Sequence, residues 1–543
     1  MLVKSYMVSR LRTLHLKKLL LHLPSCSCSS DLPSSGPKRK TKPEYDEQNG
    51  IGSGWNSQDI RSYRFPIKAI LDAITSPSSK QTENVVLEEK PAVVAPVDTV
   101  VVPKPQAVTR SKLDAQTSLI VQKVYNAESG ASRLHRMSQL CQHLVEYPAA
   151  AGLCVEEGII PYLMRLEAAS RDHGLKEKIY RCLALIGHAS PVKRRAVNLL
   201  SLDGGGTRGL VALDMLETLE NALGGVRIHQ AFDYVIGVST GAIIAALLVG
   251  LKLNVRDCKM LYREIASQLF DRSRVMGVTG LLWSQSYYDT DAWLNFLKKS
   301  VGETFMMDTV SSKNSTKLAF VSVVVNRTRI QPYLFRNYNP SPSRPSIYEG
   351  STRYKIWEGL QASGAAPGYF REVILNENVH QDGGVLVNNP TAIGLHECRM
   401  LWPDTPIGAV VSVGNGQFDP AVSGHGPSYS AETKPTFSTI KTKIAKIIDS
   451  ASDTAAVHTI LGDLLPRDTY YRFNPWTTQD FVLDENRPEL LDAMEKDAQV
   501  YARLNWRKFV TVANSLKRRQ THFQKLSDWL KKEVVIKFNR TSV

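Results

Sequence analysis

Apolar residues along this chain follow three rhythms. Over 112–195 they recur at three-and-four spacing, as in Leu119, Val121, Val124 and Tyr125 and then Leu134, Met137, Leu140, Cys141 and Leu144, which predicts amphipathic helices. At Val197-Asn-Leu-Leu-Ser-Leu202 the pattern becomes a short apolar run of strand length. Beyond Asp203-Gly-Gly-Gly-Thr-Arg-Gly209 it turns helical again, with Ala212, Leu216, Leu219 and Leu223 on one face and Asp214, Glu217 and Asn221 on the other. The third rhythm is unbroken: eighteen uncharged residues lie between Asp233 and Lys252.

Eighteen residues just reach the length of a membrane span. The middle of the run reads Gly237-Val-Ser-Thr-Gly241, however, and a buried strand at Tyr234-Val-Ile-Gly followed by a helix from Ala242 accounts for it without a bilayer. Ser239 then falls on the sharp turn between them, and the flanking Gly237 and Gly241 leave room for the strained elbow a nucleophile occupies.

The ends of the chain have other patterns. Residues 1–30 contain Lys4, Arg10, Arg12, Lys17 and Lys18 but no acid, and Leu16, Leu19, Leu20 and Leu23 recur at helical spacing, so a mitochondrial targeting segment is expected there, with a basic tail as the alternative. Residues 31–111 are rich in Ser, Pro, Lys and Val without period and are expected to be a disordered linker. The helical segment over 112–195 resembles one armadillo-type repeat at Gly158-Ile-Ile-Pro-Tyr-Leu-Met-Arg-Leu166 and Ile179-Tyr-Arg-Cys-Leu-Ala-Leu-Ile-Gly187. A catalytic domain is expected over 196–418, and a largely helical extension over 419–543. In the latter, Phe509, Val512, Leu516, Phe523, Leu530 and Val534 recur among basic residues.

Composition narrows the class. The 543 residues exceed one ordinary core. The 67 basic against 52 acidic residues give a formal +15, which favours an anionic partner, nucleic acid or a membrane surface. Seven cysteines without a Cys-x-x-Cys suggest a reducing compartment and no zinc site. No Asp-x-Asp-x-Asp-Gly loop announces calcium, and no cofactor is expected.

The chemistry concentrates in three short stretches. The strand, glycine loop and helix around residues 203–209 form the arrangement in which backbone N–H groups point at an anion. The loop lacks the Gly-Lys-Ser/Thr ending of a nucleotide P-loop, which leaves an oxyanion as the anion it suits best. A nucleophile for that role, Ser239, comes about thirty residues later, a separation suited to a βαβ unit. Further on, in His380-Gln-Asp-Gly-Gly-Val-Leu-Val-Asn-Asn-Pro390, Asp382 leads a glycine turn at the end of a strand. His380 and His396 lie near enough in sequence to suggest a Ser-His-Asp triad, but core packing or surface exposure is the reading adopted for both.

In this order the three stretches resemble the motifs of the patatin-like phospholipases, and Ala362-Ser-Gly-Ala-Ala-Pro-Gly-Tyr-Phe370 is similar to sequence of that family. The resemblance runs from about Arg133 to about Trp529 and implies an α/β fold, a mostly parallel sheet wrapped by helices. It implies Ser239 as nucleophile and Asp382, of the Asp382-Gly383-Gly384 motif, as its base. The oxyanion hole would come from the loop Gly204, Gly205, Gly206, Thr207, Arg208 and Gly209. The activity implied is calcium-independent hydrolysis of fatty-acyl esters of glycerophospholipids through an acyl-enzyme, without metal or cofactor. The alternatives are a lysophospholipase or neutral-lipid acyl hydrolase on the same pair, and a silent lipid-binding scaffold. The implied partner is a phospholipid membrane surface, anionic in view of the charge, and not nucleic acid; the oligomeric state is left open. A membrane-associated mitochondrial location is expected, with endoplasmic reticulum as the second reading; the chain ends Asn539-Arg-Thr-Ser-Val543 without a Ser-Lys-Leu signal, which puts a peroxisomal pool in doubt. Around the site, Val275-Met-Gly-Val-Thr-Gly-Leu-Leu-Trp283, Tyr287, Tyr288 and Trp293 are candidates for an acyl tunnel, an aromatic core being the competing reading.

Overall fold

The computed structural model describes residues 109–269, 288–418 and 454–538. The targeting segment and nearly all of the linker expected over 1–111 lie outside them, as do 275–283 and Tyr287. The helical segment consists of α1 (Arg110–Tyr125), α2 (Gly130–Glu146), α3 (Ala151–Glu156), α4 (Ile159–Ala169) and α5 (His173–Ile186). Ser129 and Asp172 cap α2 and α5 by accepting backbone N–H groups, and Gly187 ends α5 in a left-handed conformation at φ 84°. The apolar faces that set the three-and-four spacing meet in a core of their own around Met137, Leu140, Leu144, Leu163 and Ile179.

Next come β1 (Val197–Leu202), α6 (Gly209–Ala222), α7 (Ile228–Ala231), β2 (Tyr234–Val238), α8 (Thr240–Ala245, continued by a π turn to Gly250), α9 (Val255–Leu269) and α10 (Thr290–Val301). They are followed by β3 (Lys317–Val324), β4 (Gln331–Arg336), β5 (Glu349–Ser351), α11 (Ile356–Ser363), β6 (Val373–Leu375), β7 (Asn378–Asp382), α12 (Thr391–Leu401) and β8 (Ile407–Val413). After the undescribed stretch come α13 (Thr454–Leu464), β9 (Tyr470–Phe473), α14 (Pro488–Leu504), α15 (Trp506–Leu516) and α16 (His522–Phe538).

The sheet runs β5-β4-β3-β2-β1-β8-β9, parallel from β3 to β9, with β4 antiparallel to β3. Alternate residues of β1 serve opposite faces: Leu200 and Leu202 join the core beneath α6, α8 and α9, while Val197 and Leu199 join the one beneath α12. With both faces covered, the strand reads as a continuous apolar run. The run between Asp233 and Lys252 divides into β2 and α8 in the same way, and no helix among the described residues is long and apolar enough to cross a membrane.

Two expectations change. The boundary at 418 falls inside one folded unit, because β9 pairs parallel with β8 and Phe509, Val512 and Leu516 of α15 belong to the core that holds β1. The expected polar face of α6 is not free either. Asp214 is buried at 5% exposure and bound to Lys259 at 2.6 Å, because α9 and α14 both cover that helix.

Candidate active site

Parallel pairing brings the first two functional loops to one edge. Leu202 is in register with Gly237 and with Val413, so the glycine loop after β1 and the turn after β2 leave the sheet side by side. Ser239 occupies that turn at φ 52°, ψ −119°, a strained conformation costing on the order of 1–3 kcal/mol. The crossing is close enough to require glycine: a Cβ on Gly237 would sit 2.2 Å from the Gly241 carbonyl oxygen, and one on Gly241 2.3 Å from that of Leu202. The elbow is thus built by strand and helix packing, with Ala242 and Ile243 N–H donating to the Ser239 carbonyl at 2.9 and 3.1 Å.

The third element arrives from the other direction. The first half of β3 pairs with β2, ending at Val238 opposite Val321, and its second half pairs antiparallel with β7, with Asp382 opposite Ser322. Two strands therefore share one edge of β3 end to end, and the residues at their meeting ends are Ser239 and Asp382. Asp382 is 4% exposed. Its Oδ1 accepts the Gly384 N–H at 2.7 Å. Burial pushes its carboxyl up from 3.8 to about 6, against hydrogen bonds from the Ser239 side chain and the Gly384 N–H that favour the ionised form.

Of the glycine loop, the N–H groups of Thr207, Arg208 and Gly209 are already spent, on Leu483 (2.8 Å), Gly205 (3.2 Å), and the Gly206 and Thr207 carbonyls respectively. Gly204 N–H reaches the Asn388 carbonyl at 3.3 Å. Among the described residues, nothing accepts from the N–H groups of Gly205 and Gly206. The loop is held rigidly: Thr240 Oγ1 and Tyr262 Oη both donate to the Gly206 carbonyl, at 2.7 and 2.6 Å. Gly206 has φ 57°, and a Cβ there would lie 1.9 Å from the Leu483 carbonyl oxygen. Asp203, at the loop's start, is buried and paired with Arg472 of β9 at 2.5 Å, and Asn415 Nδ2 donates to its carbonyl at 2.9 Å.

Ser239, Asp382 and Gly204 to Gly206 line one cavity of about 80 Å³, whose other walls include Ile243, Ile265, Trp293, Tyr369, Phe370 and Leu483. Polar groups converge at one end of an apolar chamber, the usual build of a small-molecule site. Trp293 stacks on Phe370 with ring centroids 5.7 Å apart, so it is both packed core and cavity wall. Tyr288 stacks on Tyr369 and binds Asp484 through its hydroxyl. Among the described residues, no histidine lines the chamber. His380 is buried, its Nδ1 2.9 Å from Ser322 Oγ, and burial lowers it to about 4. His396 lies edge-on to Tyr348.

Sequence reasoning passed over Ser363, Tyr262, Asn388, Arg472 and Leu483. Ser363 and Asn388 carried a signal, as parts of Ala362-Ser-Gly-Ala-Ala-Pro-Gly-Tyr-Phe370 and of the stretch from His380 to Pro390; for Ser363 the structure shows the reason. Its Oγ accepts the Ser239 N–H at 2.9 Å and donates to the Val321 carbonyl at 2.6 Å, while the Ala365 carbonyl accepts the Asp382 N–H at 2.9 Å.

The patatin-like phospholipase family model matches residues 200–395, which span the loop, the elbow and Asp382. The chain belongs to the patatin-like phospholipase family. It is 40% identical over 433 residues to calcium-independent phospholipase A2-gamma of Rattus norvegicus, covering 80% of this chain and 54% of that protein. To the Homo sapiens protein of the same name it is 41% identical, over 78% and 53% of the two chains. Phospholipase A I of Arabidopsis thaliana is 26% identical, over 67% of this chain and 32% of its own. The chain thus spans about half the length of the gamma proteins it matches. The patatin-like region begins within β1 and ends within α12; β8, β9, α14 and α15, which complete the sheet and its cover, lie beyond it.

Proposed function

We propose that the chain is a calcium-independent phospholipase A that hydrolyses fatty-acyl esters of membrane glycerophospholipids. The observation that carries the reading is the end-to-end meeting of β2 and β7 on β3, which sets a buried carboxyl of raised pKa against the hydroxyl of a strained serine in an apolar chamber. The names of its relatives support the substrate class.

Ser239 Oγ attacks the acyl carbonyl carbon as Asp382 takes its proton, forming the tetrahedral intermediate. The developing oxyanion is met by the N–H groups of Gly205 and Gly206, in a cavity where such donors are each worth roughly 3 to 4 kcal/mol. The C–O bond to glycerol breaks, the leaving alkoxide takes the proton from Asp382, and lysophospholipid departs. Water then gives its proton to Asp382 as it attacks the acyl-enzyme; the bond to Ser239 Oγ breaks, Oγ takes that proton back from Asp382, and fatty acid leaves with both residues restored. At about 6, the carboxyl is basic enough to receive a proton and still ionised at neutral pH.

The formal +15 supports action at an anionic membrane surface, and the acid-free leucine stripe of residues 1–30 supports delivery to mitochondria. The test is fatty acid release from phospholipid vesicles in chelator, comparing the full chain with Ser239→Ala. Release lost in the variant is expected. No release from the unaltered chain would leave a lipid-binding scaffold, and release from lysophospholipid or triacylglycerol alone would move the substrate class.

A further inference from the structure

Ser239 and the glycine loop follow the C-terminal ends of β2 and β1. At the opposite ends of these strands, about 20 Å away by the rise of five or six residues, two other cavities adjoin. The larger, about 650 Å³, is walled by Met164 of α4, Leu183 of α5, Pro191 and Val192 before β1, and Trp529 of α16. The smaller, about 210 Å³, is polar, with Lys193, Arg194, His229, Lys252, Ser312 and Ser315 in its walls. Lys193 and Asn314 line both.

The two spaces have complementary chemistry. At the polar end three cations, Lys193, Arg194 and Lys252, face one carboxyl, Asp233, and that carboxyl already accepts the Asn198 N–H at 2.9 Å. Arg194 donates to the Gln230 carbonyl at 2.5 Å and Lys252 to Ser311 Oγ at 2.9 Å, while Lys193 has no hydrogen-bond partner among the described residues and acts on Asp233 through its charge alone. Two buried polar atoms of the walls, His229 Nδ1 and Asn314 Oδ1, are also without a hydrogen-bond partner among them, and such atoms mark places where a guest or water completes the bonding. Burial, then the charges of Lys252, Arg227 and Lys193, hold His229 at about 4, consistent with a positive field at this end. In the apolar end, the carboxylate of Glu167 is engaged by the Tyr180 hydroxyl at 3.1 Å. A volume of 650 Å³ is within the range of about 300–1,000 Å³ that small-molecule pockets occupy.

We propose that these joined cavities bind one molecule of an anionic lysophospholipid, its acyl chain along Met164, Val192 and Trp529 and its phosphate at Lys193, Arg194 and Lys252. One apolar groove suits one chain, and a cluster of cations beside serine hydroxyls suits a phosphate. The guest lies between the helical segment and the strands, so it ties the two together at a distance from the chemistry.

The site is tested in the full chain carrying Ser239→Ala, so that binding does not depend on hydrolysis. Lysophosphatidic acid with a photoreactive group near the end of its chain is irradiated with the protein, and labelled peptides are mapped. Labels within 164–193 or at Trp529 are expected. Labelling should fall at least tenfold in Lys193→Gln/Lys252→Gln, whose side chains are exposed and whose loss leaves the core intact, and likewise in Met164→Trp, which narrows the groove. Lysophosphatidylcholine of the same chain should label at least tenfold less. Labels confined to the walls around Ser239, equal labelling by the zwitterionic lipid, or labelling unchanged in both variants would overturn the proposal.

Discussion

Ser363 Oγ accepts the backbone N–H of Ser239 at 2.9 Å and donates its own O–H to the Val321 carbonyl at 2.6 Å. One hydroxyl thus fastens the strained elbow to β3, the strand on which β2 and β7 meet. Removing it leaves a buried N–H unsatisfied, at about 1–3 kcal/mol. If that strain is spent on misplacing Ser239, Ser363→Ala should lower kcat by roughly 5- to 150-fold with KM little changed. Ser363→Thr, which keeps the hydroxyl, should recover much of the loss. A purely structural role would instead lower Tm and leave kcat per folded molecule intact.

The pair itself makes a sharper demand. Ser239→Ala and Asp382→Asn should each abolish hydrolysis while the fold persists, and the double variant should be no worse than either, because groups that act as a unit lose most of their rate at the first deletion. His380→Gln and His396→Gln should keep most of the turnover per folded molecule, since neither side chain lines the chamber. Thousands-fold loss in folded His380→Gln would restore the triad.

How much of this was legible is uneven. The strand, loop and helix around 203–209 and the elbow around Ser239 are local, and their glycines and apolar rhythm announce them. The meeting of Ser239 with Asp382 is not local: it depends on β7 filling the half of β3 that β2 leaves open, and nothing in residues 378–382 specifies that partner. The same holds for β9 and Arg472, which come some 270 residues after Asp203, in a stretch whose pattern is that of a largely helical extension until the sheet pairs them. Asp214 misleads for the opposite reason, because a helix covered on two sides keeps an amphipathic pattern while burying its polar residue with Lys259.

Asp382 predicts two pH effects of opposite value. As a base it must be ionised, so kcat/KM should rise with unit slope as pH approaches about 6 and level off above it. For stability the sign reverses. Its folded pKa is raised above the unfolded value near 3.8, so the folded state holds the proton more tightly; the associated stability is present below about pH 4 and is lost as pH rises through about 6. The ionised carboxylate therefore costs about 3 kcal/mol at neutral pH. Asp382→Asn should be more stable than the unaltered chain at pH 7.5, by up to that amount, and the gap should close near pH 4 in paired denaturant melts. A constant gap across this range would place the titrating base elsewhere.

The buried pair of Asp203 and Arg472 predicts a coupling between the far end of the sheet and the oxyanion loop. Burial pushes the Asp203 carboxyl up and the guanidinium beside it draws it back, the raising effect winning. Its Oδ1 has no partner among the described residues, so the arginine is its main compensation. Arg472→Met should cost about 3–5 kcal/mol, as an uncompensated charge is left inside, and it also deprives Ser412 Oγ of a donor at 2.8 Å. Adding Asp203→Asn to it removes the stranded charge and should recover most of the stability. Activity should not return in step. Asp203 immediately precedes Gly204, and its orientation is fixed by Arg472 on the carboxylate and by Asn415 on the carbonyl; without the arginine the N–H groups of Gly205 and Gly206 lose their fixed aim. The expected signature is a double variant with near-normal Tm and a kcat still depressed at unchanged KM. Full recovery of kcat alongside Tm would show that the pair supports the fold alone and that the loop keeps its geometry without it.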